Sequence, residues 1–142
     1  MTAQASEKII IDDEEYKLLA EPLESYLEKR KLKFDVRNTA CWRGYIGTWE
    51  LKDNELYLTG FYGKIKGKEV DLNFLFPDAS SVKADWFTGL LRIPVGDMIQ
   101  YVHGGFDSVY SDEMYVEMKH GKAVKTTLRH NEYDETLEDE PF

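Results

Sequence analysis

The clearest pattern of apolar and polar positions lies between residues 42 and 62. Two aromatic-rich runs, 42–51 and 56–62, flank the dipeptide Asp53-Asn54, whose residue types favour tight turns. Glycine interrupts both runs, which indicates a bulge, a bend or a close approach of another group to the backbone. The segment therefore predicts a curved β-hairpin whose glycines are Gly44, Gly47, Gly60 and Gly63.

Shorter patterns precede this hairpin. Apolar runs at 9–11 and 16–19 flank the acidic segment 12–15 and predict a small hairpin over residues 8–20. Pro22 suits the first turn of a helix, and Leu23, Tyr26 and Leu27 follow at helical spacing. We therefore predict one helix from Pro22 to about Lys31, too short to be stable without docking on a sheet.

After the central hairpin the pattern predicts further strands and turns. Apolar positions with a period of two favour a strand over 69–76, and Pro77 to Ser81 favour a loop. The remaining predictions are strands at 86–93 and 98–103 around the turn 94–97, a loop at 104–108, and a hairpin of 113–119 with 122–129 turned at His120-Gly121.

Together these elements predict a mainly β fold. About nine short strands at close spacing, with one short N-terminal helix, are typical of an antiparallel sandwich or a partly open barrel. No strand alternates with a long helix, so a parallel α/β fold is not expected.

Charge divides the 142 residues into two parts. The net charge is −9, and the segment 131–142 holds six acidic residues and no Lys or Arg, which leaves −9 + 6 = −3 for the rest. We predict one globular domain at 1–130 and a disordered acidic tail at 131–142. A negative body disfavours nucleic acid and anionic membranes as partners, and it favours a protein partner that is itself basic.

The expected cellular location rests on three features that the sequence lacks. The N-terminus lacks the pattern of a secretory signal, no run is long and apolar enough to span a bilayer, and the single cysteine, Cys41, has no internal disulfide partner. We therefore expect a cytoplasmic protein.

The motif Arg43-Gly-Tyr-Ile-Gly-Thr-Trp-Glu-Leu51, followed by Leu56-Tyr57-Leu58, resembles a family of small bacterial proteins with no established activity. The resemblance continues through 86–89 and 101–103, and it implies a bacterial origin. Gly47-Thr48-Trp49 is also similar to the Gly-x-Trp strand of lipocalins and fatty-acid-binding proteins, which carry that strand near the chain start.

Candidate chemistry is sparse. Cys41 with a histidine could form a thiolate–imidazole pair, but no local signature supports it. His103 precedes two glycines, and Asp107, Asp112 and Glu113 follow, without the spacing of a zinc or calcium site. We predict no catalytic residue, no metal and no cofactor.

An interface is the better-supported site. If one face of the central hairpin is open, its aromatic side chains and arginine have the composition of a binding hot spot. The candidate interface residues are Arg43, Tyr45, Trp49, His103 and Asp107.

Three functions remain open from the sequence. The first is a non-catalytic interaction or inhibitory module of a bacterial cytoplasm, similar to immunity proteins or antitoxins. The second is a β-barrel that binds a small ligand. The third is a hydrolase or metal-dependent enzyme that uses His103 and nearby acids. Oligomeric state is left open.

Overall fold

The computed structural model describes residues 6–36, 44–100 and 109–131. Eleven strands and two short helices lie within these ranges. In chain order they are β1 (Glu7–Ile11), β2 (Glu14–Leu18), α1 (Glu24–Lys29), β3 (Tyr45–Lys52), β4 (Glu55–Ile65), β5 (Lys68–Asp71), α2 (Leu72–Leu75), β6 (Val82–Lys83), β7 (Gly89–Pro94), β8 (Met98–Gln100), β9 (Val109–Tyr110), β10 (Asp112–Lys119) and β11 (Lys122–His130).

Nine strands form one sheet with the order β2-β1-β3-β4-β11-β10-β7, and β5 and β6 also pair with β4. All pairs are antiparallel except β1 with β3, where Lys8 lies opposite Thr48 in a parallel register. The sheet curls without closing into a barrel; one backbone hydrogen bond, from Leu19 N–H to Arg92 C=O at 2.8 Å, joins its two ends. The predicted mainly β, open architecture is confirmed.

The core lies inside the curl and is built from both halves of the sheet. Trp49 and Leu58 of the first half and Leu91 and Val116 of the second are completely buried. Alternate residues of each strand face inward, as a half-buried sheet requires.

The central hairpin forms where the sequence predicts it. Asp53 and Asn54 both adopt positive φ, 52° and 63°, the conformation of a tight hairpin turn. The register between β3 and β4 shifts between Thr48 and Trp49, so the predicted bulge is present.

The predicted helix is present as α1, and it covers one end of the core. Leu23 and Leu27 are buried, and Tyr26 contacts Trp86 with ring centroids 4.9 Å apart. The Trp86 indole N–H donates to the carbonyl of Pro22 at 2.8 Å, which fixes the start of the helix against the loop that precedes β7.

The strand predicted over 69–76 is wrong in its second half. β5 ends at Asp71, whose side chain accepts a hydrogen bond from Phe74 N–H at 3.3 Å and so caps α2. Leu72 and Leu75 are both buried one helical turn apart. The period of two therefore selected the wrong face after Leu72: Leu75 is buried, and Phe74 is 42% exposed.

The strands predicted at 86–93 and 98–103 are present in part, as β7 and β8, but within the described residues they do not pair with each other. Trp86 lies in a turn, β7 pairs with β10, and β8 pairs with β9. Val95 N–H and Gly96 N–H both donate to Asp112 C=O, at 3.0 and 3.2 Å, so the segment 94–97 follows β10 instead of reversing the chain.

The final hairpin is confirmed as β10 and β11, with a turn at His120-Gly121. The acidic residues 132–142 and Cys41 lie outside the described residues. Neither helix in the described part of the chain has the length and apolar character needed to cross a membrane.

Candidate functional site

The face predicted as an interface is the core face. Tyr45 is 2% exposed and Trp49 is completely buried, because the sheet curls around them and α1 covers the end. Neither side chain is therefore available to a partner. Arg43, His103 and Asp107 lie outside the described residues.

Tyr45 and Trp49 instead hold structural contacts. The Tyr45 hydroxyl donates to Glu24 of α1 at 2.8 Å, and burial together with this hydrogen bond raises the pKa of Tyr45 well above its ordinary value. The contact links the helix to the first residue of β3.

Glu7 is a buried acidic residue that the sequence pattern did not indicate. Its carboxylate is completely buried and accepts the Gly47 N–H at 2.7 Å and the Trp49 indole N–H at 3.3 Å. A Cβ on residue 47 would lie 2.8 Å from the Glu7 carboxylate, so a larger residue there would have to displace that carboxylate. The Gly-x-Trp spacing is thus explained by a buried carboxylate that joins β1 to β3.

The most exposed regular element among the described residues is β11. It pairs with β10 from Lys122 to His130, whereas its other edge meets β4 only where Lys122 lies opposite Glu55. Beyond that point no strand within the described ranges pairs with the outer edge of β11. An open edge of this kind carries backbone groups that can pair with another chain.

Hydrogen bonds hold the turn end of this strand. Gly121 N–H donates to Phe87 C=O at 2.9 Å, and Ala123 N–H donates to Asn54 C=O at 2.8 Å. A Cβ on Gly121 would approach Ala84 O to 2.7 Å, and its φ is +81°, so this turn packs tightly on the body.

The C-terminal end is held as well. Asn131 N–H donates to Ser111 C=O at 2.8 Å, and the Asn131 amide donates to Glu113 at 2.7 Å. His130 contacts Asp112 at 3.0 Å, and this hydrogen bond lowers the pKa of Asp112. The edge strand is therefore fixed at both ends before any partner arrives.

The hydrogen bond from Asn131 N–H to Ser111 C=O shows which backbone groups of β11 point away from β10. In an antiparallel pair, residues that bond the neighbouring strand alternate with residues that point away from it. Counting back from Asn131, Thr127 and Arg129 point their N–H and C=O groups at β10, and Thr126 and Leu128 point theirs outward. The outward groups are those that a further strand would use.

Apolar side chains accompany the open edge. Val124 is 63% exposed and Leu128 is 75% exposed. The register with β10 shifts between Glu117 and Met118, which leaves Val124 as an extra, bulged residue.

The charge of β11 is opposite to that of the whole chain. The strand contains Lys122, Lys125 and Arg129 and no acidic residue, although the chain as a whole carries −9. Glu113, which lies opposite Arg129 on β10, is paired with Arg92 and Asn131 instead. Within the described residues no carboxylate forms an ion pair with Lys125 or Arg129.

A groove of about 710 Å³ runs beside the strand on the outer face of β7 and β10. Leu90, which is 48% exposed, lies in it. Its other lining residues are Thr88, Gly89, Tyr115, Glu117, Met118, Lys119, Val124 and Thr127.

No group of three or more His, Cys, Asp or Glu side chains within the described residues is arranged to hold a metal ion. The open edge, its basic residues and the groove are the features that a binding site needs. The sequence contains one signal for this basic edge, the absence of acidic residues from 122–130. The prediction of a basic partner used only the net charge and did not take this segment into account.

Comparison with known proteins adds no family: no protein-family model, no curated protein and no solved structure matches the chain. The resemblances drawn from the Arg43–Leu51 motif and from Gly47-Thr48-Trp49 therefore stay predictions.

Proposed function

We propose that this chain is a non-catalytic protein-interaction module that accepts an extended segment of another protein along the open edge of β11. The observation that supports the proposal is that β11 is held at both ends while Thr126 and Leu128 direct backbone groups away from β10. Strand addition uses such groups for affinity and the pockets beside them for specificity.

The energetics suit a reversible interaction. Each backbone hydrogen bond gained contributes about 0.5–1.5 kcal/mol net. Because β11 is already ordered, a partner segment loses conformational entropy but the edge loses little. Val124 and Leu128 add apolar area that a partner would bury.

A protective role for the charges is the simpler alternative. Lysine on an edge strand hinders unwanted pairing between sheets. An edge that is only protected has no need of two large apolar side chains exposed by more than half, and β11 has Val124 at 63% and Leu128 at 75%. The exposed apolar side chains therefore favour an edge that binds a partner, and the cations beside them limit which partners can pair with it.

The proposal keeps the interaction or inhibitory role expected from the sequence, in the setting of a bacterial cytoplasm. An inhibitor that occupies an extended segment of its target is one form that such a module takes.

The experiment is a selection of random linear peptides on the full chain, followed by binding to two variants at one position. Leu128→Pro removes an outward N–H and adds a ring to the edge, while the bonds to β10 remain. Leu128→Ala is the matched control, because it removes the same side chain and keeps the N–H. We expect the selected peptides to lose binding at least about tenfold with Leu128→Pro relative to Leu128→Ala.

Circular dichroism and chemical denaturation verify that both variants are folded. Peptides that bind Leu128→Pro and Leu128→Ala equally well would contradict strand addition at β11. A selection that yields no binding peptide would contradict the proposed function as a whole.

A further inference from the structure

We infer that the segment accepted by β11 is acidic, with two carboxylates four residues apart that face Lys125 and Arg129. This inference rests on the proposed function. It starts from the contrast between a strand with three cations and no anion and a chain with a net charge of −9.

The spacing of the two cations defines the partner pattern. Lys125, Thr127 and Arg129 alternate along β11 and so lie on one face of the sheet. Side chains of a strand added to the edge repeat with the same period of two. Acids at positions i and i+4 of the partner would therefore lie beside the two cations, with position i+2 beside Thr127.

The other face of the added strand meets apolar surface. Leu128 lies opposite Met114 on the side of the sheet that carries the core, and it remains 75% exposed. Partner positions i+1 and i+3 point to this side, so a β-branched or aromatic residue there would cover Leu128. The full pattern is therefore an acidic residue at positions i and i+4, with β-branched or aromatic residues at i+1 and i+3.

Self-pairing of two copies is disfavoured in the register that places the cations opposite one another. In the antiparallel self-pairing that centres on Thr127, Lys125 of each copy lies opposite Arg129 of the other. Like charges directly opposite one another destabilise a strand pair. In this register the basic strand disfavours β11–β11 pairing and favours a partner of opposite charge.

The test compares two synthetic peptides on the full chain. In one, Glu alternates with Val and Thr; in the other, Lys replaces every Glu. Fluorescence anisotropy measures the dissociation constant of each. We expect the acidic peptide to bind about tenfold more tightly, because two exposed charge pairs each contribute modestly. The preference should shrink when salt rises from about 50 mM to about 500 mM.

Charge reversal sharpens the result. The double variant Lys125→Glu and Arg129→Glu should prefer the lysine peptide. The matched control is Lys66→Glu with Lys68→Glu, which changes the net charge equally at two exposed residues of the β4–β5 connection. This control should keep the preference for the acidic peptide, since the effect depends on position and not on total charge.

The outcomes separate the two proposals. If both peptides bind equally and both are lost with Leu128→Pro, strand addition stands and the acidic partner is overturned.

Binding of the acidic peptide only after residues 132–142 are removed would assign the edge to the chain's own acidic segment. A dimer abolished by Leu128→Pro would assign it to a second copy, and either result overturns the inference. No binding of the acidic peptide to either form also overturns it.

Discussion

The hairpins β3–β4 and β10–β11 share the same local features, but they differ in how far neighbouring strands enclose them. Each has two residues of positive φ in its turn, Asp53 and Asn54 in one and His120 and Gly121 in the other, and each contains a bulge. The first has strands on both flanks, whereas the second keeps one open edge along β11 among the described residues. Turn chemistry therefore makes a hairpin, and strand pairing with distant parts of the chain decides whether the hairpin is enclosed.

The first test of this comparison removes a large side chain from each hairpin. Trp49→Ala should lower the free energy of unfolding by about 3–5 kcal/mol, because it opens a cavity in the core. Leu128→Ala should change it by less than about 0.5 kcal/mol, since that side chain is exposed. Urea denaturation of both variants measures the difference.

If Trp49→Ala prevents folding, Trp49→Phe provides the measurable variant. It keeps most of the apolar surface and loses the N–H that Glu7 accepts, so a loss of about 1–3 kcal/mol is expected. Equal effects at residues 49 and 128 would remove the distinction between an enclosed and an open hairpin.

The second test concerns how the open hairpin is attached. Gly121→Ala should destabilise the fold by about 2–4 kcal/mol, because a Cβ would meet Ala84 O at 2.7 Å in a left-handed conformation. Gly67 has nearly the same φ, +82°, and nothing within 4 Å of its Cβ position. Gly67→Ala should therefore cost only about 1–2 kcal/mol.

Thermal unfolding of the two alanine variants measures how much the close packing at Gly121 adds to the loss of stability, because the backbone strain is nearly the same at both glycines. Similar melting temperatures would indicate that the turn at Gly121 is loosely attached, and hydrogen exchange of Gly121 N–H would then be fast.

The third test addresses the buried carboxylate of the enclosed hairpin. Glu7→Gln should cost about 1–3 kcal/mol, since an amide cannot accept from both Gly47 N–H and the Trp49 indole as the carboxylate does. The control is Glu15→Gln on the exposed strand β2, expected within about 0.5 kcal/mol. Equal stability of the two glutamine variants would show that Glu7 does not join β1 to β3.

The smallest expected effect is the pH dependence of stability that comes from one carboxyl group in each hairpin, Glu55 in β4 and Asp112 in β10. Hydrogen bonds from Tyr57 and from Lys83 lower the pKa of Glu55, and a hydrogen bond from His130 lowers that of Asp112. A carboxyl whose pKa is lowered in the folded state stabilises the fold above its unfolded pKa, and this contribution disappears as pH falls through the folded pKa. Stability should therefore decline on acidification below about pH 4.5.

Carboxyl NMR titration measures these shifts directly. In Tyr57→Phe the pKa of Glu55 should rise, because the largest cause of its lowering is removed. The pKa of Asp112 should stay unchanged, and a parallel rise at Asp112 would contradict the local cause.

Much of the fold followed from local pattern. The turn at Asp53-Asn54, the helix after Pro22 and the hairpin turned at His120-Gly121 are confirmed because each rests on residues that are close in sequence. The errors lie where distant contacts decide. The clearest case is the segment 94–97, which follows β10 because Asp112 accepts two of its N–H groups. The end of β5 is different, because the missed signal there was local: Asp71 caps α2.

The candidate site was harder to predict for the same reason. Alternation correctly grouped Tyr45 with Trp49 on one face of β3, but it could not say that this face is enclosed. The net charge of the whole chain suggested a basic partner. That total does not reveal that one strand, β11, carries positive charge only. Only pairing between β11 and its neighbours reveals which edge is open.

By itself the sequence determined the turns at Asp53-Asn54 and His120-Gly121, the curved central hairpin, the helix and the mainly β class, since these depend on backbone preferences and side-chain periodicity over short distances. The tertiary structure alone decided that β1 runs parallel to β3, that Glu7 accepts from Gly47 and Trp49, and that β11 has an open edge. The physical reason is that burial and pairing join residues that lie far apart along the chain, and local propensity contains no information about them.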